Sequence, residues 1–136
     1  MKWSEHAQRL RRKAATDEQA MMILIADNSS GDEVVGFNAQ QAVEKLLKAA
    51  LSQQQVAYKK THDLVQLLNL LESSGIAAPP EVTECRRLGP YAVFFRYEDI
   101  SDEGAPALDR TWVVESVRKT REWVDALLAG AERPPE

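Results

Sequence analysis

The stretch Gly36-Phe37-Asn38-Ala39-Gln40-Gln41-Ala42-Val43-Glu44-Lys45-Leu46-Leu47-Lys48-Ala49, followed shortly by Thr61-His62-Asp63-Leu64, decides the reading of this chain. Val35, Ala39, Ala42, Leu46 and Ala50 recur at spacings of three and four, with Val43 and Leu47 beside them, which is the pattern of a helix burying one broad face. Asn38, Gln41, Lys45, Lys48 and Ser52 alternate in the same way and fall on one polar stripe of that helix. The turn-forming run Asp27-Asn28-Ser29-Ser30-Gly31-Asp32 precedes it. Ser30 and Glu33 stand at capping-box spacing, so the helix is expected to begin there and to extend to about Gln53.

Helical patterns continue on both sides. Trp3, Ala7, Leu10, Ala14, Met21 and Leu24 form a stripe that predicts a first helix from near Trp3 to Ala26, with Asp17 in the same stripe, either facing a helix neighbour or at a solvent-exposed edge. A third helix is expected from Thr61 or His62 through Ser73, capped by Thr61 or Asp63 and ended by Gly75 and Pro79-Pro80. A fourth covers about Pro80 to Tyr97, with Val82, Cys85, Leu88, Ala92 and Phe95 on one side. Pro90 cannot donate to the Arg86 carbonyl, so Gly89-Pro90 should kink or break this helix. After an acidic stretch between Glu98 and Leu108 that suits a surface loop, Asp109 caps a last helix whose stripe is Val113, Val117, Thr120, Val124 and Leu127, widened by Trp112 and Trp123. Strand-like alternation is absent. The expectation is therefore an all-α fold, an antiparallel up-and-down bundle of about five helices, in one domain over residues 1–130 with a frayed tail at 131–136.

The quoted stretch, with Thr61-His62-Asp63-Leu64 and the Arg96-Tyr97 pair that closes the fourth helix, resembles the signature of the HEPN family, and the likeness covers nearly the whole chain. Ala14-Ala15-Thr16-Asp17 is similar to the family's arrangement of an acidic residue after an Ala in the first helix. The resemblance implies a helical bundle that tends to pair. Its members include RNA-cleaving toxins, partners of nucleotidyltransferases and proteins with no assigned role. The ribonuclease members carry an Arg followed about four to six residues later by a His on a late helix, which places the two side chains near each other. This chain has no Arg at that distance before His6 or His62, and no histidine after His62.

Composition narrows the classes. With 136 residues, 44% hydrophobic, the chain is long enough for one core. A formal net charge of -4 and a pI near 5.3 argue against a nucleic-acid binder that works by bulk positive charge, while leaving room for a local basic patch. The single Cys85 has no internal disulfide partner, which fits a reducing compartment and a packing role. The apolar run Ala20–Ala26 lacks a convincing cleavage site, and nothing approaches the roughly 20 apolar residues of a membrane span, so a cytoplasmic protein is expected. His6, His62 and Cys85 form no metal-ligand spacing, and no Gly-rich phosphate loop or nucleophile elbow is present, so neither metal nor cofactor is expected.

The candidate ligand-binding residues are Gln41, Lys45, Lys48, His62, Arg96 and Tyr97. Two ammonium groups a turn apart suit a phosphate diester or nucleotide tail, and the amides supply donors and acceptors for a base or ribose. The plainer reading of the stripe is a solvated face with an exposed Glu44–Lys48 pair. His62, at a helix start, suits either a hydrogen bond to another helix or a ligand contact aided by Lys59 and Lys60. Arg96 suits a carboxylate or phosphate, or an internal pair with Asp17 or Glu44, and Tyr97 can stack. Three functions follow. The first is a non-catalytic module binding a nucleotide, RNA or a nucleotidyltransferase partner. The second is an RNA-cleaving toxin of a toxin-antitoxin pair with a displaced site using His62 with Lys59 or Arg96. The third is a homodimeric interaction domain whose surface is lined by Trp112, Trp123 and Phe94.

Overall fold

The computed structural model describes residues 2–27, 30–94 and 107–130, the side chains of residues 93 and 94 excepted. The described residues are all-α, with no strand among them. Helix α1 spans Trp3–Asp27, α2 Asp32–Gln53, α3 Leu64–Ser73, α4 Pro80–Thr83, α5 Tyr91–Phe94 and α6 Arg110–Gly130, with a 3₁₀ segment Glu84–Leu88 between α4 and α5.

Helix α2 is the centre of the bundle, and α1, α3, α5 and α6 all pack on it. Its apolar pattern accounts for this. Val35, Ala39, Ala42, Val43, Leu46, Leu47, Ala49, Ala50 and Leu51 are all buried, so more than one face is covered. The small Ala residues at these positions, with Ala7 and Ala14 of α1 opposite, let the helix axes approach closely. Directions follow from cross-links. Arg11 with Asp125 and Glu18 with Arg121 make α1 antiparallel to α6, and Asp32 with Arg110 brings the starts of α2 and α6 together.

Three boundaries differ from the sequence expectation, each for a local reason. The Ser30–Glu33 capping box does not form. Gly31 is the N-cap of α2 without a side-chain cap bond, and its neighbours are engaged by α6: the Arg110 guanidinium donates to the Ser30 carbonyl (2.6 Å) and the Asp32 carboxylate (3.1 Å), while Asp32 also accepts the Leu108 N–H. Helix α3 starts at Leu64, later than Thr61 or His62, because Asp63 is extended and its Oδ1 accepts the Val65 N–H at 2.9 Å. The helix expected from Pro80 breaks at Gly89-Pro90 as expected, but before that break it already passes from α4 into the 3₁₀ segment at Glu84. Pro90 offers no N–H to the Arg86 carbonyl, which accepts instead from Gly89 at 3.0 Å, and the chain tightens into 3₁₀ turns before α5. Arg96 and Tyr97 lie outside the described residues. The expected cap at Asp109 is present, accepting the Trp112 N–H at 3.1 Å. Helix α3 ends on Gly75 in the left-handed region (φ +81°), with the Ile76 N–H returning to the Leu71 carbonyl.

Gly36 shows how tightly α5 closes on α2. A Cβ added there would stand 2.3 Å from the buried Tyr91 ring, so even Ala forces the ring or the helix to move. Gly36→Ala is expected to cost about 1–3 kcal/mol of stability in a urea titration, the range for overpacking a filled core. An unchanged midpoint would show that α5 yields freely.

Candidate polar site at one end of the bundle

Within the apolar surroundings of α2, Gln40, Glu44 and Lys48 are spaced one turn apart and form a continuous polar line. Gln40 is fully buried. Its amide donates to Glu44 Oε1 (3.2 Å) and to the His62 carbonyl (3.0 Å), and its oxygen accepts from Gln41 (2.8 Å). Glu44, with a side chain only 4% exposed, also receives Lys48 Nζ at 3.0 Å and contacts His62 Nδ1 at 3.0 Å. A carboxylate this buried is tolerable only when its oxygens are filled by donors, and three side chains fill them here. The network fixes the connection between α2 and α3, since it holds both the backbone and the ring of His62.

A second set of contacts joins this line to α1. Lys45 forms an ion pair with Asp17. Lys48 Nζ lies 5.8 Å from the centroid of the Tyr58 ring, and the Tyr58 hydroxyl is hydrogen-bonded to His6 Nε2 at 3.1 Å. Asp17 therefore faces a helix neighbour. The alternative of a solvated stripe with an exposed Glu44–Lys48 pair is corrected: Lys48 is 13% exposed, that pair is largely buried, and Ser52 is buried completely.

Gln41, Lys45, Lys48 and His62 are thus brought together, while Arg96 and Tyr97 lie outside the described residues. Sequence reasoning missed Gln40, Tyr58 and His6. Gln40 stands seven residues before the buried Leu47, and Glu44 seven before the buried Leu51, a register that marks both as inward-facing. Nothing comparable marks Tyr58 and His6, which meet across 52 residues of chain. Trp112 and Trp123 pack against the core as half-buried side chains, and Arg87 stacks 4.6 Å over the Trp112 ring, so less of them faces outward than expected. The exposed large apolar side chains among the described residues are Met22, Ile23 and Val65.

Other chemistry is poorly supported by the described residues. No group of three or more His, Cys, Asp or Glu among them is arranged to hold a metal ion. Cys85 is buried against Thr120, 3.3 Å away, and burial pushes its thiol up to about 11, which suits packing and not nucleophilic attack. No helix among them is long and apolar enough to cross a membrane.

The described residues thus form an all-α bundle with a polar line on its central helix. The HEPN domain model matches residues 7–133, nearly the whole chain, and the protein belongs to the HEPN family. No curated protein and no solved structure matches the chain significantly.

Two predictions test this site. Glu44→Ala leaves Lys48 without its acid in a largely buried position and should destabilise the fold by about 3–5 kcal/mol, measured by chemical denaturation. Glu44→Gln should lose less, because it keeps the shape and one acceptor. For Cys85, the folded pKa lies above the ordinary thiol value of 9.0. Its contribution to stability is therefore full below pH 9 and falls as pH rises toward 11. Alkylation by iodoacetamide at neutral pH should follow unfolding, and rapid labelling of the folded protein would contradict the burial.

Proposed function

We propose that this HEPN protein is a non-catalytic module that binds a phosphate-bearing ligand, a nucleotide or an RNA segment, at the end of the bundle where the first half of α1 meets the connection between α2 and α3. The observation that carries this reading is a charge asymmetry. Residues 2–13 hold five Lys or Arg against one acid, and residues 45–62 hold four Lys against none, in a chain of net charge -4. The His6–Tyr58 contact joins these two segments, and the Lys45–Asp17 pair holds α2 to α1 just beyond the first of them. Such a local field attracts phosphates even though the protein as a whole is acidic.

Roles within this end divide by pairing. Gln41, Lys45, Lys48 and His62 form a floor held in place by Asp17, Gln40 and Glu44. Arg9, Lys13, Lys59 and Lys60 have no ion pair among the described residues and supply charge to a ligand. Lys2, His6, Arg9 and Lys13 recur at helical spacing and share one side of α1.

One observation favours a second reading, RNA cleavage. His62 is 52% exposed, with its Nδ1 on the Glu44 carboxylate, an arrangement that orients an imidazole for proton transfer. The missing Arg-to-His spacing weighs against it, as does the commitment of the nearby Lys48 to the same carboxylate.

Titration calorimetry at low salt with a short single-stranded RNA tests the leading reading. Because Lys45 and Lys48 hold buried or half-buried acids, Lys59→Gln with Lys60→Gln is the cleaner change. The double variant should bind more weakly and reduce the salt dependence by roughly two released counterions. No binding by the parent protein would overturn the proposal. An RNA cleavage assay comparing the parent with His62→Ala should show no His62-dependent activity, and activity lost only in the variant would establish the second reading.

A further inference from the structure

Beside the Tyr58–His6 contact lies a cavity of about 310 Å³ lined by Lys2, Trp3, His6, Ala57 and Tyr58. We infer that this cavity is a nucleobase pocket, in which a base stacks on the aromatic lining while its phosphate reaches the neighbouring lysines. The inference deepens the phosphate-ligand reading above and rests on it.

The size is near the lower end for small-molecule sites, which suits one ring system and its sugar and not an extended ligand. The lining supplies two aromatic rings and an imidazole from segments far apart in sequence. Tyr58, one wall of the cavity, has contacts of its own on both sides. The Tyr58 hydroxyl is held by His6 at 3.1 Å, and Lys48, itself pinned by Glu44, sits 5.8 Å from the Tyr58 ring centroid. Holding Tyr58 in advance lowers the entropy cost of stacking a base on it.

Charge selects among aromatic-binding ligands. An aromatic lining also suits a quaternary ammonium or another organic cation. Here no carboxylate lines the cavity, Lys2 in its wall is balanced by Glu5 at 4.0 Å and Lys48 by Glu44, and Lys59 and Lys60, next to Tyr58 in the chain, leave a positive excess that disfavours a cation. An acyl chain gains nothing from the lysines and loses their solvation. A ligand with a flat ring and an attached anion uses both halves of the site, and a nucleotide has that chemistry. Arg9 and Lys13, one and two turns beyond His6 on the same side of α1, continue the basic surface past the cavity. The larger cavity beside Val65, Leu68 and Ile76 has no aromatic lining and one cation, Arg86.

Free nucleotide and a nucleotide within a single strand share this chemistry. Titrating the full chain with adenosine monophosphate and with a short oligoadenylate separates them, and binding of either supports the pocket if it depends on Trp3. Trp3→Leu should weaken binding about tenfold or more, the effect of removing one stacking partner, and Trp3→Phe should restore most of it. Circular dichroism melting of each variant checks that the fold is intact. Tyr58→Phe gives an independent arm, since it keeps the ring but releases it from His6, and a smaller loss is expected. If the parent binds the oligoadenylate, Lys59→Gln with Lys60→Gln weakens it and Trp3→Leu does not, the pocket inference fails while the phosphate-ligand reading stands. If the parent binds neither probe, both fail.

Discussion

A carboxylate in the middle of the central helix constrains the rest of this protein. Glu44 sits at 4% exposure on the element that every major helix packs against, where an unpaired charge costs several kcal/mol. It is held by Gln40 and Lys48 one turn to either side and by His62 from the next connection. The first two partners are intrahelical and follow from spacing. The third is not, and it ties residues 54–63 to the face of α2. That tie sets where Asp63 caps α3 and keeps Tyr58 within reach of α1. Packing and site geometry therefore share one origin.

Apolar burial alone leaves helices free to slide or rotate, because Ala and Leu stripes are tolerant of register. Ion pairs between elements remove that freedom here. Arg11 makes two hydrogen bonds to Asp125, and that contact holds its guanidinium pKa above the ordinary value. Arg121 reaches Glu18, Lys45 reaches Asp17, and Arg110 joins the start of α6 to the Ser30 carbonyl and Asp32. All are half-buried, and a bidentate or multiply bonded geometry specifies orientation more than it adds stability. Exposed pairs such as Arg118 with Glu115 lie within one helix and specify nothing of this kind.

The distribution of charge connects fold to proposed function. An acidic chain is a poor general binder of phosphates, yet two basic segments with one acid between them converge at one end of the bundle. Several of their cations are already neutralised by acids of the bundle, and these shape the surface. Arg9, Lys13, Lys59 and Lys60 remain exposed. Charges paired inside the bundle and charges left exposed thus come from the same segments.

The helical architecture and most of the core were legible in the sequence because helix formation and burial obey a local period. The stripes of α1, α2 and α6 predicted the buried positions Ala7, Ala14, Val35, Leu46, Val113 and Val124. Membership of the HEPN family was also legible, since the residues that carry the resemblance are short local motifs, and the family match covers residues 7–133. Gln41, Lys45, Lys48 and His62 were also recognisable as candidates, two of them as spaced cations. What they touch was not. The partners of Lys45 and of His6 stand 28 and 52 residues away, and no periodicity relates residues on different elements. The same holds at the start of α2, where Arg110 holds the Ser30 carbonyl from 80 residues away. Local periodicity was enough for the helices, most of their buried faces and the family. Which charges are paired inside the bundle and which remain at its surface came from the folded chain, because that choice depends on distances between segments far apart in sequence.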